Sequence, residues 1–142
     1  MDLITSMNVS AAGLSAQRTR MNVVSSNLAN VNSTRSPEGG PYRRKEVVMS
    51  AVAPPDQFGK ALDQQLNEPK VVTIINDPSE FPKVYDPSHP DANSEGYVLM
   101  PNVNLMREMV DMLSATRAYE ANTSVISTVK AMAQTAIGIA NK

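Results

Sequence analysis

Residues 102–142, NVNLMREMVDMLSATRAYEANTSVISTVKAMAQTAIGIANK, contain no proline and repeat apolar side chains at alternating four- and three-residue steps. One seam runs Leu105, Met109, Met112, Thr116, Tyr119, Thr123, Ile126, Lys130, Ala133, Ile137 and Ala140. A neighbouring stripe holds Met106, Val110, Leu113, Val125, Val129, Met132, Ala136 and Ile139. Two adjacent stripes predict a helix covered from more than one side. At about 1.5 Å per residue it would be roughly 55 Å long, more than a 15.3 kDa globule easily covers. Asn102 or Asn104 after Pro101 marks its start, with Glu108 and Asp111 near the positive end of its dipole and Lys142 at the negative end.

Working outward, all 10 prolines lie between Pro37 and Pro101. Proline breaks helix interiors by removing a donor and clashing with the preceding turn, so residues 1–35 are free to form a second helix. Asp2 is a fair N-cap. Leu3, Met7, Ser10, Leu14, Gln17, Met21, Val24, Leu28 and Val31 make a heptad seam with polar interruptions at Ser10 and Gln17. Ala11, Ala12, Ala16 and Ala29 widen the stripe with side chains small enough for close helix approach. Asn and Ser fill the other faces and compete for backbone groups, so this helix is expected to be weak until its seam is covered. The exit lies at Asn30–Thr34, confirmed by Pro37.

The middle reads as β-rich. Gly39-Gly40-Pro41 turns the chain into Tyr42–Val52, which Pro54-Pro55 ends. Residues 57–68 carry Phe58, Leu62 and Leu66 at spacings that suit a short helix. Val71–Ile75 is the best strand, closed by Asn76-Asp77-Pro78, and Phe81–Tyr85 and Tyr97–Met100 are further short strands. The Asp86–Gly96 loop joins them. The expected fold class is α+β: long N- and C-terminal helices paired as a coiled-coil-like layer, with a small β-rich middle domain. The division falls at 1–35, 36–101 and 102–142.

Composition narrows what such a chain does. Aromatics make up 4% of its 142 residues and Trp is absent, so a monomer has little bulk to bury. A net charge of −1 gives no electrostatic case for nucleic acid or an anionic membrane. Arg43-Arg44-Lys45, the one basic run, reads as a solvated strand edge rather than a phosphate site. No Cys is present, which excludes disulfides and thiolate metal sites. Neither a signal-peptide core nor a bilayer-spanning run is seen. The protein is therefore expected in the cytosol, or outside it by a route without a cleaved signal.

Asp86, His89 and Asp91 form the single acid–His–acid cluster, and His89 is the only histidine. A metal site needs convergent ligands on a fixed backbone, whereas these residues sit in a Pro-flanked loop and serve equally as turn formers. No nucleophile elbow, Walker loop or Gly-x-Gly-x-x-Gly occurs. No cofactor, metal, small-molecule substrate or enzymatic activity is expected. The 9 methionines suit ordinary core filling or an interface that accepts non-identical neighbours.

The stretch Gln17-Arg18-Thr19-Arg20-Met21-Asn22-Val23-Val24-Ser25-Ser26-Asn27-Leu28-Ala29-Asn30 resembles the N-terminal signature of bacterial flagellar rod and hook proteins. Glu108-Met109-Val110-Asp111-Met112 and Ala118-Tyr119-Glu120-Ala121-Asn122 are similar to the C-terminal helix of that family. Three middle motifs narrow the likeness to the proximal-rod members of the flagellar basal-body rod protein family. They are Gly39-Gly40-Pro41-Tyr42-Arg43-Arg44-Lys45, Tyr85-Asp86-Pro87-Ser88-His89-Pro90-Asp91-Ala92-Asn93 and Glu95-Gly96-Tyr97-Val98. The resemblance covers nearly the whole chain and departs from the usual family pattern at Val31 and Ser33, where Ala and Thr are common.

The resemblance implies a structural subunit of the proximal rod, with terminal helices in an inner tubular layer and a β-rich domain outside. It implies export through the flagellar type III apparatus without a cleaved signal, and helical stacking in the periplasm into a torque-carrying drive shaft. The partners are then copies of itself, other rod proteins and the export apparatus, without direct membrane insertion. The expected subunit-interface residues are Leu3, Met7, Leu14, Met21, Val24 and Leu28 with Met109, Met112, Tyr119, Ile126, Ala133 and Ile137. Rival readings are a cytosolic coiled-coil adaptor, a hook-type or distal-rod subunit, and a metal hydrolase built on Asp86, His89 and Asp91. The terminal helices are expected to order as subunits dock, since coupled folding needs buried seams to offset ordering entropy.

Overall fold

The computed structural model describes residues 3–37, 39–52 and 67–140. The elements, in order, are α1 (Leu3–Ala29), β1 (Lys45–Val52), β2 (Glu68–Asn76), β3 (Lys83–Tyr85), β4 (Tyr97–Leu99) and α2 (Leu105–Ala140). The architecture is α+β, with two long terminal helices and two small antiparallel sheets between them. The Asp2 cap, the short helix over 57–68, the Pro54-Pro55 stop and Lys142 lie mainly or wholly outside the described residues.

α1 and α2 pack antiparallel. Asn27 near the end of α1 bonds Glu108 near the start of α2, while Gly13 meets Asn122 further along both helices. α2 begins after Asn104, whose Oδ1 accepts the Arg107 N–H at 3.0 Å as an N-cap does.

The stripe of α1 covered within the chain is Ser10, Gly13, Ala16, Val23, Val24 and Asn27. It is offset from the heptad seam: Leu3 and Met7 are exposed, and Leu14, Met21 and Leu28 lie half-buried at its margins. The reason is steric. A Cβ on Gly13 would stand 2.9 Å from Asn122 Nδ2, so this close crossing takes small residues and leaves the large ones beside it.

β1 and β2 form an antiparallel ribbon from Lys45↔Asn76 to Val52↔Glu68, with a bulge after Val48. The ribbon lies against α1. Pro69 sits near the outer start of β2, where a missing N–H is tolerated. β3 and β4 form a hairpin closed by the Asp86–Gly96 loop. Gly96 takes φ +82°, with Tyr85 Cε2 only 2.9 Å from where its Cβ would be. Tyr85 and Tyr97 pack edge to face at 5.3 Å. The hairpin is tied to the exit of α1 by Asp91, which accepts from Thr34 Oγ1 at 2.7 Å and Arg35 Nε at 2.6 Å.

Candidate assembly surface and the junction that orients it

Three elements meet at Asn27, which opens the Asn27-Leu28-Ala29-Asn30 end of the N-terminal signature. Its Nδ2 donates to Lys45 O at 2.8 Å and to Glu108 Oε2 at 2.9 Å. Its Oδ1 accepts from Lys45 N–H at 3.0 Å and Tyr42 O–H at 3.0 Å. The carboxamide thus uses both donors and both acceptor sites, joining the end of α1 to the start of β1 and the first turn of α2. Asn27 is 0% exposed; an amide buried without partners would be costly.

Glu108 is also 0% exposed. Its second oxygen accepts from Arg44 Nε at 2.7 Å, and the positive end of the α2 dipole adds to its stabilisation. Arg44 further approaches Glu46 and Asp77 at 3.4 Å and Asp111 at 3.9 Å. Burial works against its charge, but the hydrogen bond and charge of Glu108, with Glu46 and Asp77, raise its pKa above the usual guanidinium value. Asn102 completes the frame: Oδ1 accepts the Arg44 N–H at 2.8 Å, and Nδ2 donates to Ser79 Oγ at 2.9 Å. One turn away, Arg20 pairs with Asp111 at 3.0 Å on a partly exposed edge.

The basic run is therefore not a uniform solvated edge. Arg43 stacks over Phe81 at 4.3 Å and bonds Asp77 O, Arg44 is buried in an ion pair, and Lys45 has an exposed side chain and a backbone held by Asn27. The sequence pattern assigns Glu108 no side-chain partner and reads Arg44 as part of a solvated edge. The usable signal was the coincidence of Asn27, Arg44 and Glu108 in three separate family-like motifs.

Asp86, His89 and Asp91 are engaged in loop structure. Asp86 accepts from Ser88 Oγ and N–H at 2.6 and 3.1 Å, bonds that lower its pKa. His89 Nδ1 accepts the Asp91 N–H at 3.1 Å, and Asp91 is held below the usual carboxylate range by Thr34 and Arg35. Among the described residues no group of three His, Asp or Glu is arranged to hold a metal ion, and no helix is long and apolar enough to cross a membrane.

What the junction leaves uncovered is a large apolar surface. On α2, Met106, Val110, Leu113, Ile137 and Ile139 are 59–71% exposed, and every described side chain from Gln134 to Ile139 faces solvent. On the ribbon, Val72 and Ile74 are exposed. Of the expected interface residues, Leu3, Met7, Met109 and Ile137 are exposed. Leu14, Met21, Leu28, Met112, Tyr119, Ile126 and Ala133 are half-buried, and Val24 is buried inside the chain. Exposed apolar side chains in this number on a small protein mark candidate interaction surfaces.

Comparison with known proteins agrees with this picture. Residues 7–35 match the family model described as flagella basal body rod protein, and residues 94–139 match the C-terminal model of the flagellar basal body rod FlgEFG proteins. The chain is 43% identical to the flagellar basal-body rod protein FlgC of Borreliella burgdorferi, with 98% of each covered. It is 47% identical to FlgC of Bacillus subtilis over 94% of this chain and 95% of that one. With FlgC of Salmonella typhimurium it shares 41% identity over 93% of each. Two long helices locked at one end by a polar junction, an outward apolar face and near full-length likeness lead to one conclusion: the chain belongs to the FlgC family of flagellar basal-body rod proteins.

Proposed function

We propose that this chain is a structural subunit of the proximal rod, stacking helically into the shaft that carries torque from rotor to hook. The observation that carries the reading is the division of α2: one face closes on α1, while Met106, Val110, Leu113 and Ile139 on the other remain uncovered. Contacts that do not close on themselves generate filaments, and long helices with two apolar faces make many contacts per subunit.

In this reading residues 1–35 and 102–142 build the inner layer, with residues 36–101 outside. Leu3, Met7, Met109 and Ile137 contact neighbouring rod proteins or further copies. Leu14, Met21, Leu28, Met112, Tyr119, Ile126 and Ala133 border those contacts. The subunit reaches the periplasm through the flagellar type III apparatus without a cleaved signal. The Asn27 junction folds in the free subunit, and the far halves of both helices order on docking.

The experiment introduces Leu113→Glu and Ile139→Glu into a flagellated host lacking its own copy, with export and recovery in purified basal bodies measured separately. Both variants are exported and absent from basal bodies. Normal incorporation of both would exclude the outward face of α2 as the assembly surface.

A further inference from the structure

The stripe of α2 that faces α1 reads Glu108, Ala115, Asn122 and Val129 at seven-residue steps, flanked by Met112, Tyr119, Ile126 and Ala133 at the same spacing. α1 answers with Gly13, Arg20 and Asn27, again seven apart. A repeat of this kind is degenerate. Sliding one helix past the other by a heptad exchanges one large apolar side chain for another and leaves the packing nearly intact.

The polar residues are not interchangeable in that way. In the observed alignment Asn27 meets Glu108, Arg20 meets Asp111 and Gly13 meets Asn122. A slip of one heptad sets Asn27 beside Ala115 and takes Glu108 away from both Asn27 and Arg44. We propose that the Arg44–Glu108–Asn27 cluster is a register key: it selects one alignment of α1 against α2 and so fixes which stripes point outward. The inference concerns the single chain and does not depend on what the chain assembles into. Its physical basis is that a fully buried ion pair gives little net stability yet penalises any arrangement that separates it. A buried polar residue plays the same part in coiled coils. Arg44 makes the key three-way, because its backbone N–H is held by Asn102 and it therefore couples the helix alignment to the ribbon.

The chain has no cysteine, so engineered pairs report cleanly. Met21→Cys with Thr116→Cys reads the native register, where Met21 Sδ and Thr116 Oγ1 are 3.7 Å apart. Met21→Cys with Thr123→Cys reads the slipped one, because a heptad displaces the helix by about 10 Å and a disulfide needs Cα atoms within about 7 Å. Oxidation of the full chain is followed by peptide mapping, with circular dichroism recorded on each variant. In the otherwise native background only the 21/116 pair closes. Adding Arg44→Met with Glu108→Leu retains helical content and closes both pairs in comparable yield. Closure of the native pair alone in that double variant would overturn the proposal, since register would then be set elsewhere. Loss of helical content with neither pair closing would also overturn it, by making the cluster a stability element. Failure of the 21/116 pair in the native background would reject the alignment itself.

Discussion

Asn27 donates to Glu108 across the α1–α2 interface at 2.9 Å, and neither side chain reaches solvent. That bond joins the two terminal helices at one end only. Further along, Arg20 pairs with Asp111 at 3.0 Å and Thr116 Oγ1 reaches Met21 Sδ at 3.7 Å, and exposure rises from there toward Leu3 and Ile139.

Breaking the cluster from one side is therefore expensive. Glu108→Ala takes from the Arg44 guanidinium, whose side chain is 7% exposed, its shortest carboxylate partner, and is expected to cost about 3 kcal/mol. Asn27→Leu leaves Lys45 N–H and C=O without their side-chain partner and is expected to cost about 2–4 kcal/mol. Removing both charges with Arg44→Met and Glu108→Leu costs less than the sum of the two single changes. Urea denaturation midpoints across that double-mutant cycle check all three statements.

Gln17 carries the opposite defect. Its Oε1 is buried with no hydrogen-bond partner among the described residues. It borders a cleft of about 360 Å³ with Arg20, Met49 and Glu108. Gln17→Met removes the orphan acceptor at similar volume and is expected to stabilise the subunit by about 1 kcal/mol. A lower denaturation midpoint would show that Gln17 serves the free subunit in another way.

Gly96→Ala acts locally. The positive φ costs about 1–2 kcal/mol for an L side chain, and the new Cβ presses on the Tyr85 ring. Amide shifts of residues 83–99 are expected to move and the Tyr85–Tyr97 packing to loosen, while helical content stays constant. Unchanged shifts around Tyr85 and Tyr97 would contradict the assigned contact.

Acid loosens the same region. Asp77, Asp86 and Asp91 all have folded-state pKa values below the ordinary carboxylate value, set first by Ser79, Ser88 and Thr34 respectively. A depressed pKa contributes stability above the unfolded value of about 4 and loses it as pH falls through the folded one. Loop resonances at residues 77–96 are expected to hold from pH 7 to about 4 and to broaden or shift below. Loosening between pH 7 and 5 would show that other groups hold the loop.

The helices were legible because proline exclusion and apolar periodicity act over many residues, so Leu3–Ala29 and Leu105–Ala140 fall where the pattern placed them. Strand positions followed from β-branched runs, although β2 extends back to Glu68 through a proline that pattern reading takes as a stop. The covered stripe of α1 was legible only to within one helical face. Periodicity weighs large apolar residues, whereas the close approach at Gly13 selects small ones. Arg44 was misread because charge in a short basic run looks solvated until a distant Glu108 and Asn27 are seen to enclose it.

Hydrogen exchange on the purified subunit and on the assembled rod tests the central claim most directly. In the free subunit, amides of residues 20–28 and 108–119 are expected to exchange slowly and those of 3–12 and 125–139 rapidly. In the rod all four segments become protected. Strong protection of 125–139 in the free subunit, or no gain there on assembly, would contradict an outward helix face ordered by its neighbours.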